Sequence, residues 1–449
     1  MNYDLKVGFG RVDITPPIGA NLRGYFKQRL AEGCYDNLEA NAIAIEKDGK
    51  IVALVTLDAM NGATEYLTMV REAVAKAANI DKDAIFIQTT HTHVAPALGM
   101  EDNCTNDIDR AYYANLVYKV ADSVLYAIND LKPAKMGIAF SKAERVGFNR
   151  RYLMKDGSTR TNPGVNNPDI VRSIGLLDET LNVVRFTREN DDIVVGNYGN
   201  HPDTIGGNII SADWPGLTRR VVEKAFDNVK CIFFNGAQGD INHVNVKPVG
   251  GDLNGMFNDF DDVTRGYAHA KHVANVVAGG IMSVYEKVEY IDTDSIDFVH
   301  KEFPVASNMP KPEDMDRARY IQQMVDAGKE DELPEKGMLL TTVKAEARRM
   351  IRLEHGPEFF PLHFSAIRVG DIVFAGLPGE PFTGIGLGIK QAKGYKMVLP
   401  CCLTNASQGY FPMQDSYTEG GYEARSSNFK AGVAEIIIEN GKNILENLR

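Results

Sequence analysis

Two histidines, His91 and His93, lie one residue apart in the segment "IQTTHTHVAP", directly after an apolar run typical of a buried strand. Continued strand geometry would direct both imidazoles to one face and Thr92 to the other. Histidine is the commonest ligand of borderline metal ions and the usual proton carrier near neutral pH. The pair could therefore share one metal ion, or one ring could bind it while the other transfers a proton. Two hydrogen-bonded core histidines are the alternative.

More metal-capable side chains follow other strand-like runs. In α/β sheets, ligands bind beyond the carboxyl ends of the strands, so polar residues there are candidates for a site. These candidates are Asp58 in "VTLD", His201 and Asp203 in "GNHPD", Asp240 in "NGAQGD", Glu380 in "LPGEPF" and Tyr410 in "LPCCLTNASQGY". Structural alternatives exist for most of them. His201 could be a turn residue, Glu380 an acid in the first turn of a helix, and Asp58 and Asp240 helix caps. Tyr410 could be simply one of the chain's 18 tyrosines.

The elements that must position these residues alternate between β-branched apolar runs and helical periodicity. The predicted helices cover 64–80 and 107–131, and the predicted strands are "NAIAIEK", "IVALVTL", "AIFIQTT", "DIVVGNYG", "KCIFFNG", "IRVGDIVFAG" and "KMVLPCC". This alternation predicts an α/β fold with mixed, mainly parallel sheets packed with helices. Residues 310–356 carry two charged helical stretches, each ending at a glycine, and predict a helical insertion that serves as a lid or an interface.

Composition narrows the class of protein. The net charge of −11, without a long basic cluster, argues against binding to nucleic acid or to an anionic membrane, and favours a small-molecule partner. A secretory leader and a membrane-spanning apolar run are both absent from the sequence, so a cytoplasmic protein is expected. Five irregularly spaced cysteines indicate reduced thiols. Nothing in the sequence indicates the oligomeric state.

Signatures of other enzyme classes are absent. The sequence contains no G-x-S-x-G nucleophile elbow, and "GIGLGIK" lacks the spacing of a phosphate-binding loop. A serine hydrolase and a nucleotide-binding protein are therefore not supported.

The chain resembles the N-terminal catalytic domain of the neutral/alkaline ceramidase family. The motifs that carry the resemblance keep their order along nearly the whole chain: "GFGRVDITPPIGANLRGY", "GCYDNLEANAIAI", "LDA", "QTTHTHVAP", "VGFNRRY", "GNHPDTIGG", "NGAQGDIN", "GLPGEPF" and "GYFPMQDSYTEGGYEA". The resemblance implies an enzyme that cleaves the amide of an N-acyl sphingosine with one zinc ion per chain. The implied zinc ligands are His91, His201, Glu380 and Tyr410.

The same resemblance implies roles for further residues. His93 would carry out the proton chemistry, and Arg150 and Tyr422 would line the catalytic centre, where they would stabilise an oxyanion or hold a polar group of the substrate. Gln238 and Asn242 would contact the substrate. Asp58 and Asp240 are expected to orient the ligands by hydrogen bonding.

Three departures from the family pattern bear on the substrate. Asn242 in "GDINHV" occupies the position of a serine that contacts lipid in ceramidases. The chain ends at Arg449, so residues 1–449 are expected to form a single catalytic domain without a C-terminal immunoglobulin-like domain, and a secretory leader is also missing. These departures predict an N-acyl substrate that is smaller and more soluble than ceramide.

The leading hypothesis is therefore a zinc-dependent hydrolase of a C–N amide bond. The alternatives are a metal-dependent phosphoester hydrolase and a non-catalytic protein that binds a metal or a ligand. The proposed ligand set would also accept iron or manganese.

Overall fold

The computed structural model describes residues 4–99 and 105–449. The helices are Thr64–Ala78 (α1), Asp107–Asn129 (α2), Asp213–Ala225 (α3), Tyr267–Val284 (α4), Met315–Asp326 (α5), Gly337–Leu353 (α6), Thr383–Ile389 (α7), Ser416–Glu419 (α8), Tyr422–Ser426 (α9) and Val433–Leu448 (α10).

The strands of the first half are Lys6–Asp13 (β1), Asn21–Leu22 (β2), Arg29–Leu30 (β3), Gly33–Cys34 (β4), Glu39–Lys47 (β5), Lys50–Leu57 (β6), Ile85–Thr89 (β7), Lys132–Pro133 (β8), Lys135–Lys142 (β9), Phe148–Asn149 (β10), Arg151–Met154 (β11), Thr159–Thr161 (β12), Ile170–Ser173 (β13) and Thr180–Thr187 (β14). Those of the second half are Asp192–Tyr198 (β15), Ile209–Ile210 (β16), Val229–Asn235 (β17), Ile241–Asn242 (β18), Phe257–Asn258 (β19), Thr264–Arg265 (β20), Glu289–Ile291 (β21), Ile296–Ala306 (β22), Phe359–Val369 (β23), Ile372–Gly376 (β24), Glu380–Pro381 (β25), Met397–Cys401 (β26) and Tyr410–Phe411 (β27).

Three sheets form the body of the fold. Their strand orders are β7-β6-β5-β1-β8, β17-β15-β14-β9-β21 and β22-β23-β24-β26. Each contains one parallel pair, which is β6–β7, β15–β17 or β24–β26, and the other neighbours within these sheets are antiparallel. The mixed α/β class is confirmed, but the prediction of mainly parallel sheets is wrong.

The physical reason for this error is two-sided burial. Strands β5 and β6 are covered on both faces and read as continuous apolar runs, as strands of a parallel sheet do, although they pair antiparallel. An apolar run reports burial and not strand direction. A second difference concerns "IRVGDIVFAG", which was predicted as one strand but forms the end of β23, a turn at Gly370 and the whole of β24.

The three parallel pairs meet in one core. Phe86 of β7, Phe234 of β17 and Phe374 of β24 pack against one another, with ring centroids 5.4 to 6.5 Å apart. Gln88 of β7 joins the sheets above these rings, since its Nε2 donates to the carbonyls of Asn235 at 2.7 Å and Cys402 at 2.8 Å. The carboxyl ends of strands from all three sheets are thereby brought together.

Helices cover the outer faces of the sheets. Helices α1 and α2 pack on the first sheet, α3 and α4 on the second, and α7 and α10 on the third. The predicted insertion consists of α5 and α6, which follow β22 and precede β23 in the sequence, while the two long strands pair directly with each other. No helix in residues 4–99 and 105–449 is long and apolar enough to span a bilayer.

The cysteines that the structure describes are unpaired. Cys34, Cys231, Cys401 and Cys402 are free thiols, as predicted, and Cys104 lies outside the described residues.

Candidate active site

His91 and His201 are held in the orientation of metal ligands. The Nδ1 of His91 lies 2.7 Å from the carbonyl of Met60, and that of His201 lies 3.0 Å from the carbonyl of Gln238. A carbonyl can only accept, so each Nδ1 carries the proton and donates it. Each Nε2 is then left with a free lone pair, as in histidines that bind metals through Nε2.

Glu380 completes a cluster of converging ligand atoms. Its Oε2 lies 3.3 Å from His91 Nε2 and 3.1 Å from His201 Nε2. Four tetrahedral zinc ligands lie about 3.4 Å from one another if each is about 2.1 Å from the ion. Among the described residues, His201 Nε2 and Glu380 Oε2 have no hydrogen bond of acceptable geometry, although both are buried. A cation between these atoms would satisfy all three.

The pKa shifts of Glu380 and His201 are those expected of residues that bind a metal ion. Burial alone would raise the pKa of Glu380, but His91 and His201 lower it well below its usual range. Burial, together with the charge of Arg150, lowers the pKa of His201. Near neutral pH, Glu380 is therefore a carboxylate and His201 is neutral, and these are the protonation states in which they bind a metal.

Tyr410 reaches the cluster through the backbone. It is the register partner of Glu380 in the parallel pair β25–β27, and its ring stacks on His201 with centroids 6.5 Å apart. Arg150 Nη2 donates to its hydroxyl at 3.1 Å. Burial raises the pKa of the Tyr410 phenol well above 10, and Arg150 only partly opposes this shift. The phenol would therefore ionise as a ligand only with a cation beside it.

His93 is also in the cluster but is held differently. Its Nε2 lies 3.3 Å from His91 Nε2, and in the described residues its buried Nδ1 has no hydrogen-bond partner. Burial, and then His91, lowers its pKa well below 6.5. Gly24 lies directly against the ring, because a Cβ at that position would come within 2.5 Å of His93 Cγ. His93 is thus a neutral imidazole held by packing.

The backbone conformation that brings His91 and His93 together is not the one expected from the sequence. Strand β7 ends at Thr89, and His91 has a positive φ of 77°, a conformation that is rare outside glycine and concentrated at functional sites. Its amide donates to the carbonyl of Ala59 at 2.9 Å. A turned backbone, and not strand alternation, therefore brings the rings together, so the prediction of strand geometry here is wrong.

Arg150 and Tyr422 lie beside the cluster. Arg150 Nε is 2.7 Å from a carboxylate oxygen of Glu423, and its Nη2 donates to the carbonyl of Gly239 at 2.8 Å. Tyr422 meets Tyr410 edge to face, with centroids 5.6 Å apart. Glu423 is fully buried and was not predicted, although it follows Tyr422 within the motif "GGYEA". It fixes the guanidinium next to the cluster.

Asp240 supports the segment that carries Glu380. Its carboxylate accepts from the backbone N–H of Thr383 at 2.8 Å and from the Thr383 hydroxyl at 2.9 Å. Burial raises its pKa to about 6. The neighbouring Gly239 lies so close to this segment that a Cβ there would be 2.5 Å from the Glu380 carbonyl oxygen. Asp240 therefore acts on Glu380 through the backbone and not through a histidine.

Asp58 lies in a separate buried ion pair. Its carboxylate accepts two hydrogen bonds from Arg219 of α3, at 2.5 and 3.0 Å, and one from the amide of Glu39. Its other described partner is the hydroxyl of Thr90, so no described hydrogen bond joins it directly to a histidine. Asp58 therefore connects the first sheet to α3. Its described side-chain link toward the cluster is the hydrogen bond from Thr90, the residue before His91.

Gln238 and Asn242 lie behind the pocket wall. Gln238 is fully buried and holds His201 through its carbonyl, as described above, while its Oε1 accepts from Asn235. Asn242 donates to Asn162 Oδ1 at 3.0 Å, and Asn162 lines the pocket. Their expected contact with substrate would therefore require a rearrangement or act through Asn162.

The cluster opens into a pocket of about 110 Å³. Besides the predicted residues His91, His93, Arg150, His201, Asp203, Glu380, Tyr410 and Tyr422, its walls contain Gly24, Tyr25, Phe26, Met60, Thr161, Asn162, Asp261, Val263, Arg265, Met338 and Thr341. Tyr25 lies within the motif that ends "RGY", so the resemblance could have indicated it. Met338 and Thr341 come from α6, which places the helical insertion at the pocket wall.

The fold is that of the neutral ceramidases. All of this chain aligns with 75% of the chain in the "Crystal Structure Analysis of neutral ceramidase from Pseudomonas aeruginosa", with a TM-score of 0.74 and 16% identity. It also aligns with 76% of the chain of a ceramidase complexed with C2, with a TM-score of 0.73 and 15% identity. No curated protein sequence matches the chain.

Sequence comparison gives the family. The profile described as "Neutral/alkaline non-lysosomal ceramidase, N-terminal" matches residues 5–271, and the chain belongs to that family. The resemblance inferred from the motifs is thereby confirmed, and with it a hydrolase that acts on amides. The match ends before Glu380, Tyr410 and Tyr422, so the assignment of these three residues depends on the motifs and on the geometry of the cluster.

Proposed function

We propose that this protein is a zinc-dependent hydrolase that cleaves the amide bond of an N-acyl compound smaller and more soluble than ceramide. One observation carries the metal assignment. The Nε2 atoms of His91 and His201 and the Oε2 of Glu380 converge at 3.1 to 3.3 Å, with both rings fixed through Nδ1 by backbone carbonyls. Two imidazoles, a carboxylate and a phenol form a donor set that suits zinc.

When bound, zinc supplies Lewis acidity that polarises the scissile carbonyl and makes water a nucleophile at neutral pH. His91, His201, Glu380 and Tyr410 would hold it. The remaining residues of the pocket then divide the tasks of moving a proton and stabilising charge.

His93 is suited to proton transfer. It is neutral because burial lowers its pKa, and its Nε2 lies 3.3 Å from the Nε2 of His91. It can therefore accept a proton at Nε2 and deliver it to the leaving amine. The absence of a backbone acceptor for its Nδ1 among the described residues distinguishes it from His91 and His201, whose tautomers are fixed.

Arg150 and Tyr422 are suited to stabilising negative charge on the acyl oxygen. Arg150 is charged and anchored by Glu423, while burial raises the pKa of Tyr422 so that its phenol keeps the proton it would donate. A well-placed donor of this kind contributes about 3 kcal/mol to transition-state stabilisation.

The polarity of the pocket supports a polar substrate. An N-acyl sphingosine carries two long alkyl chains, whereas the pocket walls include the charged residues Asp203, Asp261 and Arg265. An adjoining cavity of about 160 Å³ shares Thr161, Asn162, Asp261 and Met338 with it and is lined by further charged side chains. A polar group on the substrate would fit these walls better than an alkyl chain.

The test combines metal analysis with substrate screening. Wild type should contain about one zinc ion per chain more than His91→Ala, while His355→Ala, which removes an exposed histidine, should match wild type. The zinc-loaded protein should then release free amine from N-acyl amines, with short acyl groups preferred. Equal zinc content in wild type and His91→Ala would refute the metal centre, and preference for long-chain ceramide would refute the proposed substrate class.

A further inference from the structure

A second group of metal-capable side chains lies on the long antiparallel pair β22–β23. His300 and Glu302 are two residues apart on β22, and Glu302 is the register partner of His363 on β23. Alternate residues of a strand, and directly opposed residues of an antiparallel pair, point to the same face. All three side chains therefore stand on one face of the sheet.

The spacing of their ligand atoms suits one ion. Glu302 Oε1 lies 3.1 Å from His363 Nδ1 and 3.7 Å from His300 Nε2, and the three ligand atoms lie within 4.8 Å of one another. These two separations lie on either side of the value of about 3.4 Å expected between tetrahedral zinc ligands. Small rotations of side chains would bring all three atoms to bonding distance.

The ring of His300 is oriented by a hydrogen bond at the nitrogen that faces away from Glu302. Its Nδ1 lies 3.0 Å from the hydroxyl oxygen of Ser365, its own register partner, and Asn405 fixes that oxygen by donating to it at 2.9 Å. The Ser365 hydroxyl can donate to Nδ1 or accept from it. When it accepts the Nδ1 proton, the Nε2 lone pair of His300 faces Glu302, which is the tautomer that binds a metal through Nε2.

Both imidazoles are neutral near pH 7, as metal binding requires. Burial, and then Arg71, lowers the pKa of His300. Burial also lowers the pKa of His363, although Glu302 acts in the opposite direction. Asp83 and Glu65 oppose these shifts at His300 and His363, respectively, and Asp83 is itself paired with Arg71 at 3.0 Å.

The cluster is accessible from solvent and separate from the catalytic pocket. The side chains of His300 and His363 are 17% and 15% exposed, and that of Glu302 is 51% exposed. In the part of the chain that the structure describes, none of the three lines the pocket at His91. An ion bound here would keep at least one coordination position for water.

We propose that His300, Glu302 and His363 form a second binding site for a borderline divalent ion, with Zn²⁺ as the best fit, that links β22 to β23. Two imidazoles and one carboxylate from neighbouring strands provide a donor set that is selective for zinc over magnesium or calcium. The proposal does not depend on the proposed catalytic function. If the site exists, zinc binding should stabilise the β22–β23 strand pair and thereby raise the stability of the folded protein.

The test isolates this site in the His91→Ala background, where the catalytic centre is disabled. Metal-free protein is titrated with Zn²⁺ in competition with a chromophoric chelator. We expect about one ion per chain to remain, and we expect His91→Ala/His363→Gln to bind it on the order of 100-fold more weakly. His91→Ala/His355→Gln is the matched control and should bind as the parent does.

Two further measurements keep the proposal open to refutation. Glu302→Gln changes one half-exposed oxygen to nitrogen and should fold, so it replaces the histidine variants in the test if those do not fold. In Glu302→Gln, zinc should no longer raise the Tm as it does in the parent protein. His363→Gln in the wild-type background should retain amide hydrolysis. Unchanged zinc affinity in both His363→Gln and Glu302→Gln, or no zinc bound by His91→Ala, would overturn the proposal.

Discussion

Glu380 and Tyr410 lie opposite each other in the parallel pair β25–β27, and the amide of Glu380 donates to the carbonyl of Gly409 at 2.9 Å. Two of the proposed zinc ligands are therefore positioned by one backbone ladder, although they are far apart in sequence. Strands β24 and β26, which precede them, are also a parallel pair. The third sheet thus delivers a carboxylate and a phenol to the same point.

This pairing makes Tyr410→Phe an informative variant. The backbone ladder does not involve the hydroxyl, so the fold should persist, while one ligand and its hydrogen bond from Arg150 are lost. We expect zinc affinity to fall by at least about tenfold and activity to fall with it. Competition with a chelator, read by elemental analysis, measures the affinity. Wild-type affinity in Tyr410→Phe would exclude the tyrosine as a ligand.

His93→Gln should separate metal binding from catalysis. Glutamine fills much of the space but transfers no proton, so kcat should fall by about 10²–10⁴-fold while zinc content stays at the wild-type level. Steady-state kinetics and metal analysis on the same sample measure both quantities. Loss of zinc in this variant would instead make His93 a ligand, with His355→Gln as the control for histidine removal.

Gly24→Ala should displace His93 without touching a metal ligand. The new Cβ would meet the ring at 2.5 Å, and the overpacking should cost about 1–3 kcal/mol of folding free energy as well as most of the activity. Gly49→Ala is the matched control, since Gly49 also has a positive φ but no described atom lies within 4 Å of the added Cβ. If both variants lost activity to a similar extent, backbone strain at the new alanine would explain the loss, and contact with His93 would not.

The metal-free protein should lose stability as the pH falls below about 6.5, the ordinary pKa of histidine. His93 and His201 have lowered pKa values in the fold, so the unfolded chain binds protons there that the folded chain does not. Each buried neutral histidine contributes up to about 1.4 kcal/mol per pH unit in this range. Denaturant unfolding at pH 7 and pH 5.5 measures the loss.

Other histidines with lowered pKa values, such as His269, add to the same trend. The comparison that isolates the centre is therefore between wild type and His93→Gln. The variant should show a shallower dependence of unfolding free energy on pH, and an identical slope would contradict the assignment of His93 as a buried neutral group.

Met338→Ala should relax the preference for short substrates. Met338 is the second residue of α6 and lines both the pocket and its adjoining cavity, so truncation would enlarge the space available to the acyl group. The ratio of kcat/KM for long over short acyl chains should rise about 10-fold, which is the order of discrimination that added space for a methylene group provides. Met350→Ala, in the same helix but packed within the insertion, should leave the ratio unchanged.

The sequence indicated where the candidate site lies in the fold, but it did not predict the direction of the strands around that site. His91, His201 and Glu380 were expected at carboxyl ends of parallel strands, and each does follow a strand of the parallel pair of its sheet. Sheet direction could not be predicted, because burial on both faces gives antiparallel β5 and β6 the same apolar pattern as parallel strands.

Residues brought to the pocket by long-range packing were beyond sequence reasoning. Met338 and Thr341 come from an insertion whose charged helices carry no sign of where they dock. Asp58 looked like a residue of the site because it follows a strand, yet its charge is taken by Arg219 of α3, far along the chain. A strand-end position therefore selects candidates, and only the fold decides which of them face the pocket.

The three-sheet origin of the centre also bears on how the protein folds. His91 follows a strand of the first sheet, His201 a strand of the second and Glu380 a strand of the third, so no single sheet would position all the proposed ligands. Zinc capture during refolding should therefore follow the docking of the last sheet, well after helices and strands have formed. Zinc uptake would then be a measure of how much of the protein has completed its tertiary structure.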